Sequence, residues 1–245
     1  MALQNLTKLL GIWCWGSSII IILNFFYHFS EVFLMPAFSI IMFYFIYKEL
    51  TKHRKLKKYP KLLVKITPFL ILLSLVWFYI GLGMHGAANH IAYYLAGEIS
   101  IASEYAYFYD EILSHTVMYI GLFGLLLGGS LIQSRRPFRL KLDFEDLIVL
   151  LVASTIYGIG IALSLIEGQT AFLGIAALIL IPAISIHHVD EKNLKIIVKK
   201  YPFNFFVVLM LLAMLLILVL YFFTFNGFPQ LSEMINFWDY QFVFS

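Results

Sequence analysis

The chain has 245 residues, of which 62% are hydrophobic and only 13% are charged. A soluble domain carries about twice that charged fraction, so the composition excludes an ordinary soluble fold and indicates a membrane protein. The excess of basic over acidic residues is small, 17 against 14, and the basic residues lie in short loops beside apolar runs, which gives no reason to expect nucleic-acid binding.

Seven apolar runs are long enough to be membrane-spanning helices of about 20 residues. In chain order they cover 9–28, 31–47, 66–94, 103–133, 146–166, 170–188 and 202–225. The predicted fold is therefore all-α, a polytopic membrane protein with about seven transmembrane helices in a single bundle, residues 1–226. Residues 227–245 form a predicted outer tail. Its apolar residues at helical spacing are typical of an interfacial anchor, or of a lid over an outer site.

The distribution of Lys and Arg predicts the orientation of this bundle. All 17 lie at Lys8 or in the blocks 48–65, 135–141 and 192–200. Because short cytoplasmic loops are enriched in basic residues, the N-terminus is predicted to be cytoplasmic and the C-terminus outside. The predicted location is the cell membrane, with the lipid bilayer as the surrounding partner.

Ionisable residues gather near one predicted depth at the outer boundary. At a rise of about 1.5 Å per residue, His28 lies roughly 30 Å from Lys8, and His85 the same distance from Lys65. His115 lies at a similar distance from Arg135, the first residue of the next basic block. Because placing an ionisable group inside a membrane costs free energy, a layer of such groups suggests a functional site.

The third and fourth spans carry the most polar part of this layer. The third ends in G-L-G-M-H-G-A-A-N-H, with His85 and Asn89 four residues apart and therefore on one helix face. The fourth begins with S-E-Y-A-Y-F-Y-D-E-I-L-S-H, where Glu111 and His115 have the same spacing. Asp110 falls on the adjacent stripe of that helix.

This arrangement is typical of a metal site. Glu111 and His115 could ligate one ion from successive turns, with His85 as a third ligand from the neighbouring helix. Asp110 would then orient a histidine or act as a base, assisted by His90. Zn²⁺ is the predicted ion, although histidine with carboxylate also suits Fe, Mn or Cu. Such a site favours metal-dependent hydrolysis of a lipid-like amide or ester.

Two other readings of the same residues remain open. The cluster could be a proton or cation path, which would make the protein a transporter, or it could only hydrogen-bond helices together. The chain would then be a non-catalytic subunit that contacts other membrane proteins.

The segments G-L-G-M-H (81–85) and Y-D-E-I-L-S-H-x-x-x-Y (109–119) resemble the CREST membrane hydrolases, which include alkaline ceramidases and adiponectin-receptor-like proteins. That resemblance implies a seven-helix, zinc-dependent lipid amidase in which His85 ligates zinc and Asp110 is the catalytic partner. The family takes two further zinc histidines from its last helix, whereas 202–225 contains none. The family's serine, four residues before the first histidine, is Gly81 here.

Overall fold

The computed structural model describes residues 2–24, 34–52, 60–95, 100–138, 143–187 and 198–231. Nearly all of these residues are helical, and none of them forms a strand. The all-α prediction is therefore confirmed. Most of the predicted outer tail, from residue 232 onward, lies outside the described residues, as does His28.

The described residues form the following helices in chain order. They are α1 (Ala2–Asn24), α2 (Met35–Thr51), α3 (Lys61–Tyr94), α4 (Ile101–Tyr107), a π-helical segment (Phe108–Ser114), α5 (His115–Arg135), α6 (Phe144–Glu167), α7 (Ala171–His187) and α8 (Pro202–Phe225). α4, the π segment and α5 form one continuous helical run. Each predicted span overlaps one of these helices or this run.

Within the described residues, four helical runs are long and apolar enough to cross a membrane. They are Lys61–Ala92, Ile101–Arg135, Phe144–Glu167 and Pro202–Phe225. Two shorter stretches, Leu6–Ile20 and Ala171–Ser185, are also apolar. Large apolar side chains point outward from the bundle, among them Phe69, Leu72 and Phe223. Because water would not favour so many exposed apolar groups, these surfaces indicate a membrane protein.

Glycine brings α3 and α5 into backbone contact. A Cβ atom at Gly81 would overlap the backbone of Met118, and a Cβ atom at Gly121 would overlap the backbone of Phe78. Small residues allow helices to approach this closely, which increases their van der Waals contact. The contact holds together the two helices that carry the polar layer.

α6 and α8 form the second close pair. Gly158 lies against the backbone of Met210, and Ala162 is fully buried. Gly160, two residues further along α6, has open space around it. Two positions along a helix differ by about 200°, so Gly158 and Gly160 point to opposite sides.

The start of α4 is fixed by its own side chains. Ser103 N donates to Ser100 Oγ at 3.2 Å, and Ser100 N donates to Ser103 Oγ at 3.1 Å. This capping box pairs two backbone donors that would otherwise have no partner in the helix. The helical run through Asp110 and His115 therefore begins at a defined residue.

A buried polar junction ties the end of α5 to the start of α8. Asn204 Nδ2 donates to Ser134 Oγ at 2.8 Å, and Asn204 N donates to Gln133 Oε1 at 2.9 Å. All three side chains are buried. Because lost hydrogen bonds are costly in such surroundings, this junction fixes α8 against α5.

Candidate functional site

Two helices bring a histidine and an aspartate into direct contact. His85, near the end of α3, places its Nδ1 atom 2.6 Å from the Oδ1 atom of Asp110 in the π segment. The side chain of Asp110 is 6% exposed and that of His85 is 17% exposed. The pair is thus a nearly buried carboxylate beside an imidazole that still reaches the surface.

The π-helical segment determines which way Asp110 points. In a regular α-helix, residues five apart differ in direction by about 140°. In a π-helix the backbone hydrogen bonds join residues five apart, so such residues lie nearly above one another. Asp110 and His115 therefore point toward a common side. Ser114 Oγ also donates to the Asp110 carbonyl within the widened turn. Asp110 therefore joins the same cluster as His115, although α-helical spacing placed it on the adjacent stripe.

His115 lies beside His85 and completes the central pair of imidazoles. The two ring centroids are 4.6 Å apart, and the rings are inclined by 60°. His115 Nδ1 is 2.9 Å from the carbonyl oxygen of Glu111 and 4.0 Å from its Oε2 atom. The predicted proximity of His85, Asp110, Glu111 and His115 is thus present in the structure.

The contacts of each ring indicate where its proton resides in the neutral form. His85 Nδ1 faces the Asp110 carboxylate, and Asn89 Nδ2 lies 3.4 Å from His85 Nε2, to which an amide N–H can only donate. His115 Nδ1 faces a carbonyl oxygen, which can only accept a hydrogen. In both rings the proton therefore belongs on Nδ1, and Nε2 carries the basic lone pair.

The end of α6 forms a wall of this site. A Cβ atom at Gly168, the residue after α6, would overlap the ring of His115. On another side, the ring of Tyr119 is stacked with that of His115, with centroids 6.3 Å apart. His115 is consequently held between α6 and its own helix, and it is buried.

A strap formed by residues 226–231 is bound to the same end of α6. It begins at Asn226, the residue directly after α8, whose left-handed φ of 55° ends the helix. Gln230 Nε2 donates to the carbonyl oxygen of Glu167 at 2.7 Å, and the hydroxyl of Tyr107 donates to Gln230 Oε1 at 2.8 Å. The strap therefore joins α4 to α6 beside His115.

The other expected participants lie away from the cluster. His90 is exposed on α3 and, being five residues beyond His85, points about 140° away from it. Tyr157 of α6 packs against Trp13, with ring centroids 4.9 Å apart. Glu167, at the end of α6, accepts a hydrogen bond from Leu231 N at 2.8 Å.

Sequence reasoning missed three features of this site. The π turn has no signal in the hydrophobic pattern, which is read with α-helical spacing. The role of the strap was open, because an anchor and a lid have the same apolar spacing. The contact of Gly168 with His115 joins residues far apart in sequence, although a glycine after a predicted helix is a common helix end.

The cluster does not form a ready three-ligand metal site. Within the described part of the chain, no group of three or more His, Cys, Asp or Glu side chains could hold a metal ion. The side chain of His85 is directed at Asp110 and that of His115 at the backbone of Glu111. The geometry as it stands suits proton transfer between a supported imidazole and an adjacent molecule.

Comparisons with known proteins do not add a family to this picture. No protein-family model, no curated protein sequence and no solved structure matches the chain.

Proposed function

We propose that the protein is a seven-span integral membrane protein whose outward-facing site performs acid–base hydrolysis of a lipid-like amide or ester. The proposed topology has a cytoplasmic N-terminus and an outer C-terminus. It is supported by the position of the basic residues, since Lys48, Arg135 and Lys199 all lie at the end of the bundle opposite His85.

The contact between His85 and Asp110 is the observation that carries the proposal. A buried carboxylate beside Nδ1 orients an imidazole and stabilises its protonated form, which makes Nε2 a better base. Water activated by His85 Nε2 would attack the substrate carbonyl, and the protonated ring would then return the proton to the leaving group. Asn89, 3.4 Å from the same nitrogen, would move aside or bind the substrate.

The surroundings of the site favour a lipid-like substrate. Tyr107, Phe108 and Tyr109 precede Asp110 and are each between 43% and 46% exposed. Aromatic side chains at a membrane boundary accommodate the region where acyl chains meet polar headgroups. A substrate could therefore place its carbonyl at His85 while its chains remain in the bilayer.

Metal binding is the second candidate function of this site. In both histidines Nδ1 faces a protein oxygen and Nε2 is left as the potential ligand atom, which is the usual arrangement of metal-binding histidines. His85, Glu111 and His115 would hold the ion, with zinc as the expected metal, after the Glu111 side chain turns toward the two rings. Since these groups are not positioned as a ligand set here, the hydrolytic steps above involve no metal.

A transport role has less support in the described residues. The buried face of α5 between His115 and the α5–α8 junction carries Leu122, Phe123 and Leu126. A proton or cation relay needs closely spaced polar groups along its whole length. This apolar stretch separates the two polar regions and favours chemistry at one end of the bundle.

The direct test combines activity with elemental analysis. Detergent-purified protein is assayed on a panel of fluorogenic lipid amides and esters and compared with the His85→Gln variant, while metal content is measured in wild type and in His85→Ala/His115→Ala. Hydrolysis that is lost in His85→Gln supports the proposal. One metal per chain, lost in the double variant, would establish the second candidate.

Other results would redirect the assignment. If the protein hydrolyses no substrate of the panel and binds no metal after reconstitution, both the hydrolase and the metal-binding proposals are wrong. A stoichiometric partner that co-purifies would then indicate a subunit of a membrane complex. Proton or cation flux in reconstituted vesicles that depends on His115 would indicate a transporter.

A further inference from the structure

A cavity lies at the end of the bundle opposite His85, between the start of α1 and the end of α2. Its volume is about 350 Å³. It is lined by Lys8, Leu9, Phe45, Lys48, Glu49 and Lys52. α1 and α2 lie against each other, and both helices contribute lysines to the lining of this space.

The lining of this cavity is positively charged. Three lysines, Lys8, Lys48 and Lys52, surround one carboxylate, which leaves a net charge of +2 (three minus one). Glu49 is buried, and its Oε1 atom is 3.1 Å from Lys52 Nζ. Because that contact already neutralises the carboxylate, Lys8 and Lys48 provide charge for an anionic ligand.

The end of α2 is already neutralised by another group. Its last turns expose carbonyl oxygens, which attract cations. Arg136, which follows α5, donates from Nη1 to the carbonyl oxygen of Thr51. The cavity lysines are therefore not required to cap this helix end.

Apolar residues accompany the lysines in the cavity and on the next turns of α1 and α2. Leu9 and Phe45 form its apolar wall. One turn deeper on the two helices, Ile12 and Ile41 are 52% and 53% exposed. A ligand that follows this surface must have an anionic head and an apolar tail.

We propose that this cavity binds the phosphodiester headgroup of an anionic phospholipid, with an acyl chain lying along Ile12 and Ile41. The lysines match the charge of the phosphate, and the apolar surface below them distinguishes a lipid from a free phosphate ion. This site is separate from the His85 cluster and does not depend on the chemistry proposed there.

Lipid retention in native mass spectrometry tests this assignment. Wild type and the variant Lys8→Gln/Lys48→Gln/Lys52→Gln are purified from mixed micelles of phosphatidylglycerol and phosphatidylcholine. The control variant Lys61→Gln/Lys65→Gln/Lys199→Gln removes the same charge outside the cavity. Since a lysine near an anionic surface strengthens binding by about fivefold, the cavity variant should lose phosphatidylglycerol at least about tenfold relative to the control.

Photolabelling of the wild-type protein provides a test that does not depend on the stability of a variant. A phosphatidylglycerol with a photoreactive headgroup should label peptides that contain Lys8 or Lys48, and excess unlabelled phosphatidylglycerol should suppress the labelling. Equal lipid retention in both triple variants would overturn the proposal. Equal suppression by phosphatidylcholine, or by inorganic phosphate in place of the lipid, would also overturn it.

Discussion

The Nδ1 atom of His85 and the Oδ1 atom of Asp110 lie 2.6 Å apart, although the two residues belong to different helices. The contact links the last third of α3 to the π segment that precedes α5. A carboxylate at this distance from Nδ1 fixes the orientation of the imidazole and directs Nε2 away from Asp110. The geometry of the His85–Asp110 pair therefore depends on the packing of α3 against the π segment and α5.

Replacing the Asp110 carboxylate should lower the hydrolytic activity while leaving the fold intact. Asp110→Asn keeps the size of the side chain but removes its charge, so hydrolysis should fall by about 10²-fold or more, the range of general acid–base catalysis. The measurement is the hydrolysis rate in detergent beside a thermal unfolding curve. Asp143→Asn is the control, because Asp143 accepts from Asp146 N at the start of α6 and asparagine caps a helix equally well. Loss of the same size in both variants would contradict the assigned role of Asp110.

The close approach of α6 to His115 predicts a strong effect of one methyl group. Gly168→Ala would place a Cβ atom against the His115 ring, so the ring or the end of α6 must move. The expected destabilisation is about 1–3 kcal/mol, with reduced hydrolysis. Gly160→Ala, on the same helix, has open space and should be neutral or stabilising. Equal melting temperatures for the two variants would show that the contact is not tight.

The backbone contact between α3 and α5 predicts that two glycine-to-alanine substitutions on α3 will differ in their effect on stability. Gly81→Ala would force α3 away from Met118 and shift His85, four residues further on. Thermal stability should fall by about 1–3 kcal/mol, and hydrolysis with it. Gly83→Ala meets no neighbour and should be at least as stable as wild type. A stable and fully active Gly81→Ala protein would refute this account of the helix contact.

The strap over the end of α6 should open when its buried amide is removed. Gln230→Ala leaves the Tyr107 hydroxyl and the Glu167 carbonyl without this partner, at a cost of about 1–3 kcal/mol. Limited proteolysis should then cut residues 226–231 faster than in wild type. Thr224→Ala, at an exposed position of α8, is the control. Unchanged cleavage would mean that other contacts hold the strap.

The helices were predictable because each apolar run has to satisfy its backbone internally. The span predicted at 103–133 became the run Ile101–Arg135, and the one at 202–225 became Pro202–Phe225. Four of the runs are long and apolar enough to span, whereas seven spans and their orientation remain predictions. Composition determines such elements, since a helix in lipid needs only length and apolarity.

The depth of the cluster in the membrane could be predicted from the sequence, whereas the directions of its side chains were less predictable. Counting residues placed His85 and His115 at one level, and the structure brings their rings together. Glu111 was selected by its spacing of four residues from His115, and its carboxylate lies 4.0 Å from that ring. The direction of Asp110 depends on a π turn, which arises from tertiary packing and has no periodic signature. The choice between His85 and His90 likewise depended on the rotation of α3, which the contact with Asp110 reveals.

The length of α3 sets which bond of a lipid the site can reach. The 20 residues from Lys65 to His85 span about 30 Å, which equals the thickness of the hydrocarbon core. On the proposed orientation, His85 lies level with the linkage between headgroup and acyl chains. The tails of a substrate would stay among their neighbours during cleavage, so turnover should depend on headgroup size and hardly on the number of carbons in each tail.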